Sequence, residues 1–503
     1  MEKESYINIK NPGILPLNSI PVIEYNDFYN QTCDLLQTEN CHCINYFGIP
    51  VDDSHIKIFC LIANDGNNTI AVYSSVVNKN EKLSSITAKH FAMHVFEREI
   101  AENFGLQYTD HPWLKPLRYS FNRYNKDYTI ENYPFYTIES DQLHEVGVGP
   151  IHAGIIEPGY FRFICKGEDV LHLEIQLGYQ HRGIEDLFIK KNSPLQHIVL
   201  SENIAGDTAV SHSLANTMIW ETLNGFISYD NLNIERSIAS ELERIGIHIG
   251  DTAALCTDVA YQLGQVVNEA LRTIVINTTQ LWCGNRFGKG LLRPCGTHYP
   301  LSDDVKTQIL KNLEEVEKRY NTITDRIFTS PSVLSRFEGI GIVTLNQAKL
   351  IGAVGMAARM TGIPRDIRYS HPYSFYNELK YKPVTLNSGD VFARAMLRKL
   401  EVEKSINLIR QMISLHKNEL PKNPEYNIQR KPFSLAVACT EGWRGEICHC
   451  AITDEKGDFS LYKVKDPSMH NWMALAIAVR NQEISDFPIC NKSFNLSYCG
   501  HDL

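Results

Sequence analysis

No stretch of about 18 consecutive apolar residues occurs in this sequence, the length a helix needs to cross a bilayer, so the chain is not expected to span a membrane itself. Its start, MEKESYINIKNPGILPL, carries charge and proline but no apolar core of signal-peptide length, which points to the cytoplasm. A basic block is missing too. The 49 Lys plus Arg are scattered and the net charge is −9, so there is no electrostatic footprint for nucleic acid and no nucleic-acid partner is expected. Neither an internal repeat nor a low-complexity tract is present. The 13 cysteines, an odd number spread from Cys33 to Cys499, fit a reducing compartment better than a disulfide framework. Cys41-His42-Cys43 and Cys448-His449-Cys450 invite a metal reading, but neither triplet has a second ligand pair at zinc-like spacing. Alternation in GEICHCAI instead makes Cys448 and Cys450 small apolar residues on one face of a strand.

What is present suits a globular protein. With 503 residues, 43% hydrophobic and 21% charged, the chain is long enough for roughly two to four domains. Short β-rich runs (HIKIFCLIA, TIAVYSSVV) and a helical stretch around AKHFAMHVFEREIAENFG predict a small α/β unit near the N-terminus. That helix has Phe91, Val95, Ile100 and Phe104 near 3.6-residue spacing, Glu97, Arg98 and Glu99 available to its outer face, and Gly105 as its stop. Residues 119–145 are polar and tyrosine-rich without a sustained period, and read as a linker. Strands follow from Gly149 to about Ile184, turning at Gly167-Glu168-Asp169. Long periodic segments then predict a helical bundle, with a break marked by Gly250-Asp251-Thr252, Ser302 as an N-cap, and a strong helix over GDVFARAMLRKLEVEKSINLIRQMISLH. TLNQAKLIGAVGMAARMTGIP carries the Gly and Ala that allow close backbone approach, and GEICHCAITDEKGDFSLYKVKDP reads as a hairpin turning at Glu455-Lys456-Gly457.

GPIHAGIIEPGYFRF (149–163), LGYQHRGIE (177–185), SRFEGIG (335–341) and FPICNKSFNLSYCGHDL together resemble the large subunit of membrane-bound, energy-converting nickel-iron hydrogenases, a group similar to the D component of respiratory complex I. FEREIAENFGLQYTDHPWLKPLR resembles the end of the C component of complex I, a stretch that docks that domain onto its neighbours. The C-like region followed by the D-like region in one polypeptide is also the order found in the hydrogenase large subunits. The resemblance implies an α+β fold: a small α/β domain over 1–118, the linker over 119–145, and a mainly α-helical domain with short β elements over 146–503.

In those hydrogenases two Cys-x-x-Cys pairs hold the nickel, since soft thiolates suit such a centre. The resemblance places the first pair at Ala205 and Thr208 and the second at Ser497 and Gly500, and none of the four has sulfur. A chain without a nickel-iron centre is therefore expected, although Cys499 sits beside the second pair. Glu157 matches the carboxylate that passes protons to the metal site, and Arg444 the arginine held over the metal pair. Glu241, Arg244 and His248 match a helix that lies against a partner's iron-sulfur cluster, and Asp258 an acidic residue below the quinone site of complex I. His152, with His181 and Arg182, matches recurrent positions facing that partner or the cavity. Gly206 stands where complex I has a quinone-binding Tyr, and Ile156 or Glu157 where it has a His. His212, after the first degenerate pair, is placed to hydrogen-bond in the site.

The implied protein is a subunit of a complex I-like, membrane-associated oxidoreductase on the inner face of the cell membrane, binding no cofactor of its own. Glu157, Arg444 and Asp258 would handle protons and charge at a quinone-type acceptor. Its partners would be a small iron-sulfur subunit and integral-membrane, ion-translocating subunits. An active hydrogenase with unorthodox ligands and a non-catalytic scaffold are the alternatives.

Overall fold

The computed structural model describes residues 5–152, 156–417 and 419–503. Near the N-terminus come β1 (Ile7–Ile9), β2 (Gly13–Pro16), α1 (Tyr25–Gln37), β3 (Cys41–Pro50), β4 (His55–Asn64) and β5 (Thr69–Asn78). Four of these strands form an antiparallel sheet in the order β1-β5-β4-β3. α1 packs Phe28 against one face of it, where Tyr46 and Tyr73 close around the ring. β2 goes elsewhere, pairing with a strand more than 400 residues later through Leu15↔Leu435. β6 (Lys82–Ser84) pairs in parallel with β7 (Gln107–Thr109), and between them runs α2 (His94–Phe104), stopped by Gly105 at φ 74°.

Glu97, Arg98 and Glu99 do not face outward on α2; all three are buried. Glu97 accepts hydrogen bonds from the Ser85 and Thr87 hydroxyls and the Ile86 N–H, Arg98 donates to the carbonyls of Lys115 and Pro116 over the Trp113 ring, and Glu99 pairs with Arg118 and Lys463. Reading one helix in isolation makes charged residues look solvated. Here later segments fold back over that face and supply the counter-charges that burial demands.

β8 (His144–Val148), β9 (Tyr160–Lys166) and β10 (Asp169–Gln176) form a second antiparallel sheet, with Gly167 at φ 61° in the β9–β10 turn. α3 (Ile184–Lys190), α4 (Pro194–Ser201), α5 (Ala209–Asn224), α6 (Asp230–Asp258), α7 (Gln262–Cys283) and α8 (Asp303–Ile327) follow. α6 runs unbroken through Gly250 and turns into α7 only after Asp258. A Cβ on Gly250 would stand 2.7 Å from Arg272 Cδ on α7, so this glycine serves the close approach of two helices rather than a break. Ser302 caps α8, its hydroxyl accepting from the Val305 N–H.

The Gly- and Ala-rich segment, with its neighbours, forms only short helices: α9 (Pro331–Phe337), α10 (Leu345–Leu350), α11 (Met356–Arg359) and α12 (Ile367–Ser370). α13 (Val391–Leu415) packs on α6. β11 (Ser434–Glu441), β12 (Glu446–Thr453) and β13 (Phe459–Lys465) then make a sheet in the order β13-β12-β11-β2, with Gly457 at φ 82° in the turn between β12 and β13. α14 (Ser468–Ala478), α15 (Phe487–Phe494) and α16 (Tyr498–Asp502) end the chain. Among the described residues no helix is long and apolar enough to cross a membrane.

Candidate functional site

Three turns meet at one point: the loop before α5 (residues 205–208), the β11–β12 turn carrying Trp443 and Arg444, and the turn into α16 (residues 495–500). Gly355 holds the second of these. Its φ is +57°, and an added Cβ would lie 2.2 Å from the Arg444 carbonyl, so only glycine lets the α10–α11 connection pass this close.

The Arg444 guanidinium sits across the Asp207 carboxylate in a two-pronged pair, both contacts 2.7 Å, and donates to the Asn495 carbonyl at 2.5 Å and the Thr208 hydroxyl at 3.2 Å. It also lies 4.0 Å over the Trp443 ring. Burial works against the charge, but Asp207 outweighs it and the guanidinium stays fully ionised. The Asn495 amide donates to Asp251, which is bound by Arg398, so the Arg444 corner is tied to α6 and α13. No sequence motif marks Asp207, although it lies between Ala205 and Thr208. A carboxylate beside an expected thiolate pair was the available signal.

These groups border a cavity of about 590 Å³ lined also by His152, Ile156, Glu157, Gly206, Asp258, Lys492 and Cys499. Glu157 accepts from the N–H groups of Tyr498 and Cys499 at 3.1 and 3.5 Å, which fixes it across the α16 N-terminus. His152 bonds through Nε2 to the Gly159 carbonyl at 3.0 Å. Asp258 stands at the exposed rim, opposite Lys492. Ala153, Gly154 and Ile155, within the His152–Glu157 loop motif, lie outside the described residues. An ideal Cβ on Gly206 would meet nothing within 4 Å, so the cavity is open where the resemblance puts a tyrosine.

The four positions where thiolates would be needed do not fit a nickel-iron centre. Ala205 offers no donor, and the Thr208 hydroxyl bonds Asp207 at 3.1 Å. Ser497 caps α16 by accepting from the Gly500 N–H at 2.9 Å. A Cβ on Gly500 would stand 2.7 Å from Asp466 Cγ and Oδ2 and 2.9 Å from Ser497 Oγ, so no side chain fits there while Asp466 stays in place. Asp466 is pinned by the Ser468 N–H at 2.8 Å and by His212 Nε2 at 3.1 Å. Cys499 is one buried thiol where two Cys-x-x-Cys pairs would supply four, its Sγ 3.4 Å from the Ser497 hydroxyl, so it does not replace the missing ligand set. Among the described residues no cluster of three or more His, Cys, Asp or Glu is placed to hold a metal ion.

Arg244 and His248 share one face of α6, as their four-residue spacing requires, but both are fully buried. Arg244 donates to the carbonyls of Glu441 and Gly442 and belongs to an ion network with Arg359, Arg368, Glu241, Asp366, Glu401 and Glu441. His248 packs edge-on against Trp443, 5.9 Å between ring centres, and burial holds it neutral. Neither side chain reaches the surface of this chain. Their connection to the site runs through the Trp443-Arg444 turn.

His212 is held between His449 and Asp466, and His449 reaches Tyr462, so the histidine of the second Cys-His-Cys triplet faces the site side of β12. Cys448 and Cys450 do share the opposite face, their sulfurs 3.6 Å apart. Near the start of α5, Glu243 accepts from the N–H groups of Val210 and Ser211 and from the Ser211 hydroxyl. Burial pushes its carboxyl up to about 7, with Asp207 adding to the rise. No pattern in the sequence marks that group.

Residues 26–135 match the family model of the respiratory-chain NADH dehydrogenase 30 Kd subunit, and residues 264–432 that of the 49 Kd subunit. The carbon monoxide-induced hydrogenase of Rhodospirillum rubrum is 32% identical over 359 residues, 70% of this chain and 97% of that protein. The C/D subunit of the NADH-quinone oxidoreductase of Phocaeicola vulgatus is 23% identical over 473 residues, 85% of this chain and 88% of its own. A chain of the membrane-bound sulfane sulfur reductase, an archaeal respiratory membrane complex, shares the fold with a TM-score of 0.67 at 20% identity, over 73% of this chain and 100% of that one.

Proposed function

The chain belongs to the family of hydrogenase-related, complex I-like large subunits that join counterparts of the 30 Kd and 49 Kd subunits in one polypeptide, and from that premise we propose that it supplies the acceptor site of a membrane-associated oxidoreductase working without a nickel-iron centre. Its relatives are subunits of membrane-bound hydrogenase-related and complex I-like complexes. In this reading the substrate is a quinone-type acceptor in the cavity beside Arg444. A small partner subunit would hold an iron-sulfur cluster as electron source, and integral-membrane, ion-translocating subunits would lie beneath, with this chain peripheral on the inner face of the membrane.

One observation carries the reading. The Gly500 position is filled by a pinned carboxylate, while the cavity next to it stays open to about 590 Å³. The chemistry follows from the groups that remain. Reduction of a quinone-type acceptor adds two electrons and two protons, and negative charge develops on its oxygens between those events. Arg444, immobilised by Asp207, Asn495 and Thr208, offers a permanent charge that needs no reorganisation when that oxygen charge appears. Glu157, fixed across the α16 N-terminus, is placed to hand over a proton, and Asp258 at the rim to exchange one with solvent.

The test is acceptor reduction by the purified complex carrying Glu157→Gln or Arg444→Lys, with the composition of the complex measured in parallel. Loss of the proton-transferring carboxyl, or of the guanidinium fork that holds the charge in place, is expected to slow turnover roughly 100-fold or more while the complex stays assembled. Unchanged turnover in both variants would leave the scaffold reading in its place.

A further inference from the structure

Behind the cavity wall runs a hydrogen-bonded chain that the acceptor chemistry has not used. Asp466 Oδ2 meets His212 Nε2 at 3.1 Å, His212 Nδ1 meets His449 Nε2 at 3.1 Å, and His449 Nδ1 meets Tyr462 Oη at 2.9 Å. Asn216 Nδ2 donates to that same phenol oxygen at 2.6 Å. All five side chains are buried, drawn from α5, β12, β13 and the residue after β13. One end, Asp466, lies directly behind Ser497 and Gly500. The other, Tyr462, also borders a second cleft of about 180 Å³ with Lys463 and Glu185.

The donors in this chain can all point one way. The Asn216 N–H feeds the phenol oxygen, the phenol O–H feeds His449 Nδ1, His449 Nε2–H feeds His212 Nδ1, and His212 Nε2–H feeds the Asp466 carboxylate. Both histidines are then neutral and every bond is made once. The chain can also run reversed with one more proton. His212 carries hydrogens on both nitrogens, His449 Nδ1–H feeds the phenol, and the phenol O–H needs a new acceptor. Asn216 has one waiting, because its Oδ1 is buried without a partner. Turning the amide over supplies it. No tyrosinate forms in either state, so the high cost of ionising a buried phenol is avoided.

We propose that Asp466, His212, His449, Tyr462 and Asn216 form a store for one proton, loaded as a His212 imidazolium against Asp466 and emptied toward the acceptor cavity. This rests on the acceptor-site reading above. Loading takes one proton and no electron from solvent at the Tyr462 cleft; emptying passes a proton from His212 through Asp466 to the acceptor once the electrons from the partner have reduced it, and the two imidazoles and the Asn216 amide then turn back. Burial alone would raise the Asp466 carboxyl, but His212 and Arg444 outweigh it and keep the anion that the imidazolium needs. Burial, then His212, hold His449 neutral. The charged and titratable groups facing this chain from neighbouring elements are Arg444 on the β11–β12 turn, beside Asp466, His197 on α4, beside His449, and Cys448 and Cys450 on β12, beside Tyr462.

The test uses the intact complex with Tyr462→Phe, which keeps the ring stacked on Phe188 at 4.2 Å, and His449→Gln. Steady-state acceptor reduction is followed from pH 5.5 to 8.5. An interrupted store makes turnover depend on free protons. The expected result is a roughly 10- to 100-fold loss of kcat at the alkaline end that shrinks toward the acid end, with KM for the acceptor unchanged. A redox-triggered infrared difference spectrum gives a second readout, in which imidazole and tyrosine bands change in the wild type and disappear in both variants. If both variants keep the wild-type pH profile and infrared bands while Glu157→Gln and Arg444→Lys lose activity, the store is refuted and the acceptor site stands. If those two cavity variants are also silent, the acceptor site falls with it.

Discussion

Glu243→Gln offers a quantitative check on the electrostatics around the site. In the folded chain the carboxyl titrates near 7 rather than 4.5, because burial outweighs the three hydrogen bonds it accepts at the α5 N-terminus. Between those two values the native state holds a proton that the unfolded chain does not. Stability therefore falls as pH rises through that window, and the full penalty is present above about 7. At about 1.4 kcal/mol for each pH unit between 4.5 and 7, the penalty approaches about 3 kcal/mol. Glutamine keeps an acceptor for the Val210 and Ser211 N–H groups and cannot ionise. Amide hydrogen exchange of α5, compared between variant and wild type at each pH, reads the difference locally and requires no two-state unfolding of so long a chain. The variant should be protected about equally at pH 4.5 and by up to about 3 kcal/mol more at pH 8. A constant difference across the range, or a variant less protected at pH 8, would mean that Glu243 is not held protonated by its burial.

The buried ion network gives a contrast within one cluster. Arg244, Arg359 and Arg368 face Glu241, Asp366, Glu401 and Glu441, and burial together with Asp366 pushes Glu441 up to about 8. Three cations then balance three anions at neutral pH. Glu441→Gln should cost little, whereas Glu241→Gln strips a partner from Arg244 and Arg368 and should cost about 3–5 kcal/mol, checked by chemical denaturation of the two variants side by side. Gly500→Ala drives a Cβ to 2.7 Å from Asp466 and should destabilise the α16 turn by about 1–3 kcal/mol, read as faster amide exchange at residues 497–503. A Gly500→Ala chain as protected as the wild type would mean that Asp466 can retreat, and that the position is not closed.

Much of this architecture was legible because local rules and tertiary packing agree. The β4 and β5 runs, the Gly105 stop, the Gly457 turn and the Ser302 cap all came from patterns that a few residues determine. The failures lie where distant segments decide. Glu97, Arg98 and Glu99 look like a solvated face until residues 85–118 and Lys463 close over them. Gly250 looks like a helix break until Arg272 of α7 is seen to need its space. In the site, the missing sulfur at Ala205, Thr208, Ser497 and Gly500 could be read directly, but not that Asp466 occupies the vacated room, since its partner His212 lies 254 residues away. Asp207, Glu243 and the His449–Tyr462 link were hidden for the same reason: each has an ordinary sequence environment and acquires its character from long-range contacts.

Elemental analysis of the intact complex, purified without oxygen, decides whether this chain works without a nickel-iron centre. Iron with nickel far below one atom per chain, accompanied by no hydrogen uptake with an artificial dye, is the expected result. Nickel near one atom per chain with hydrogen uptake would overturn the metal-free cavity, and would require Asp466 to leave the Gly500 position in the assembled complex.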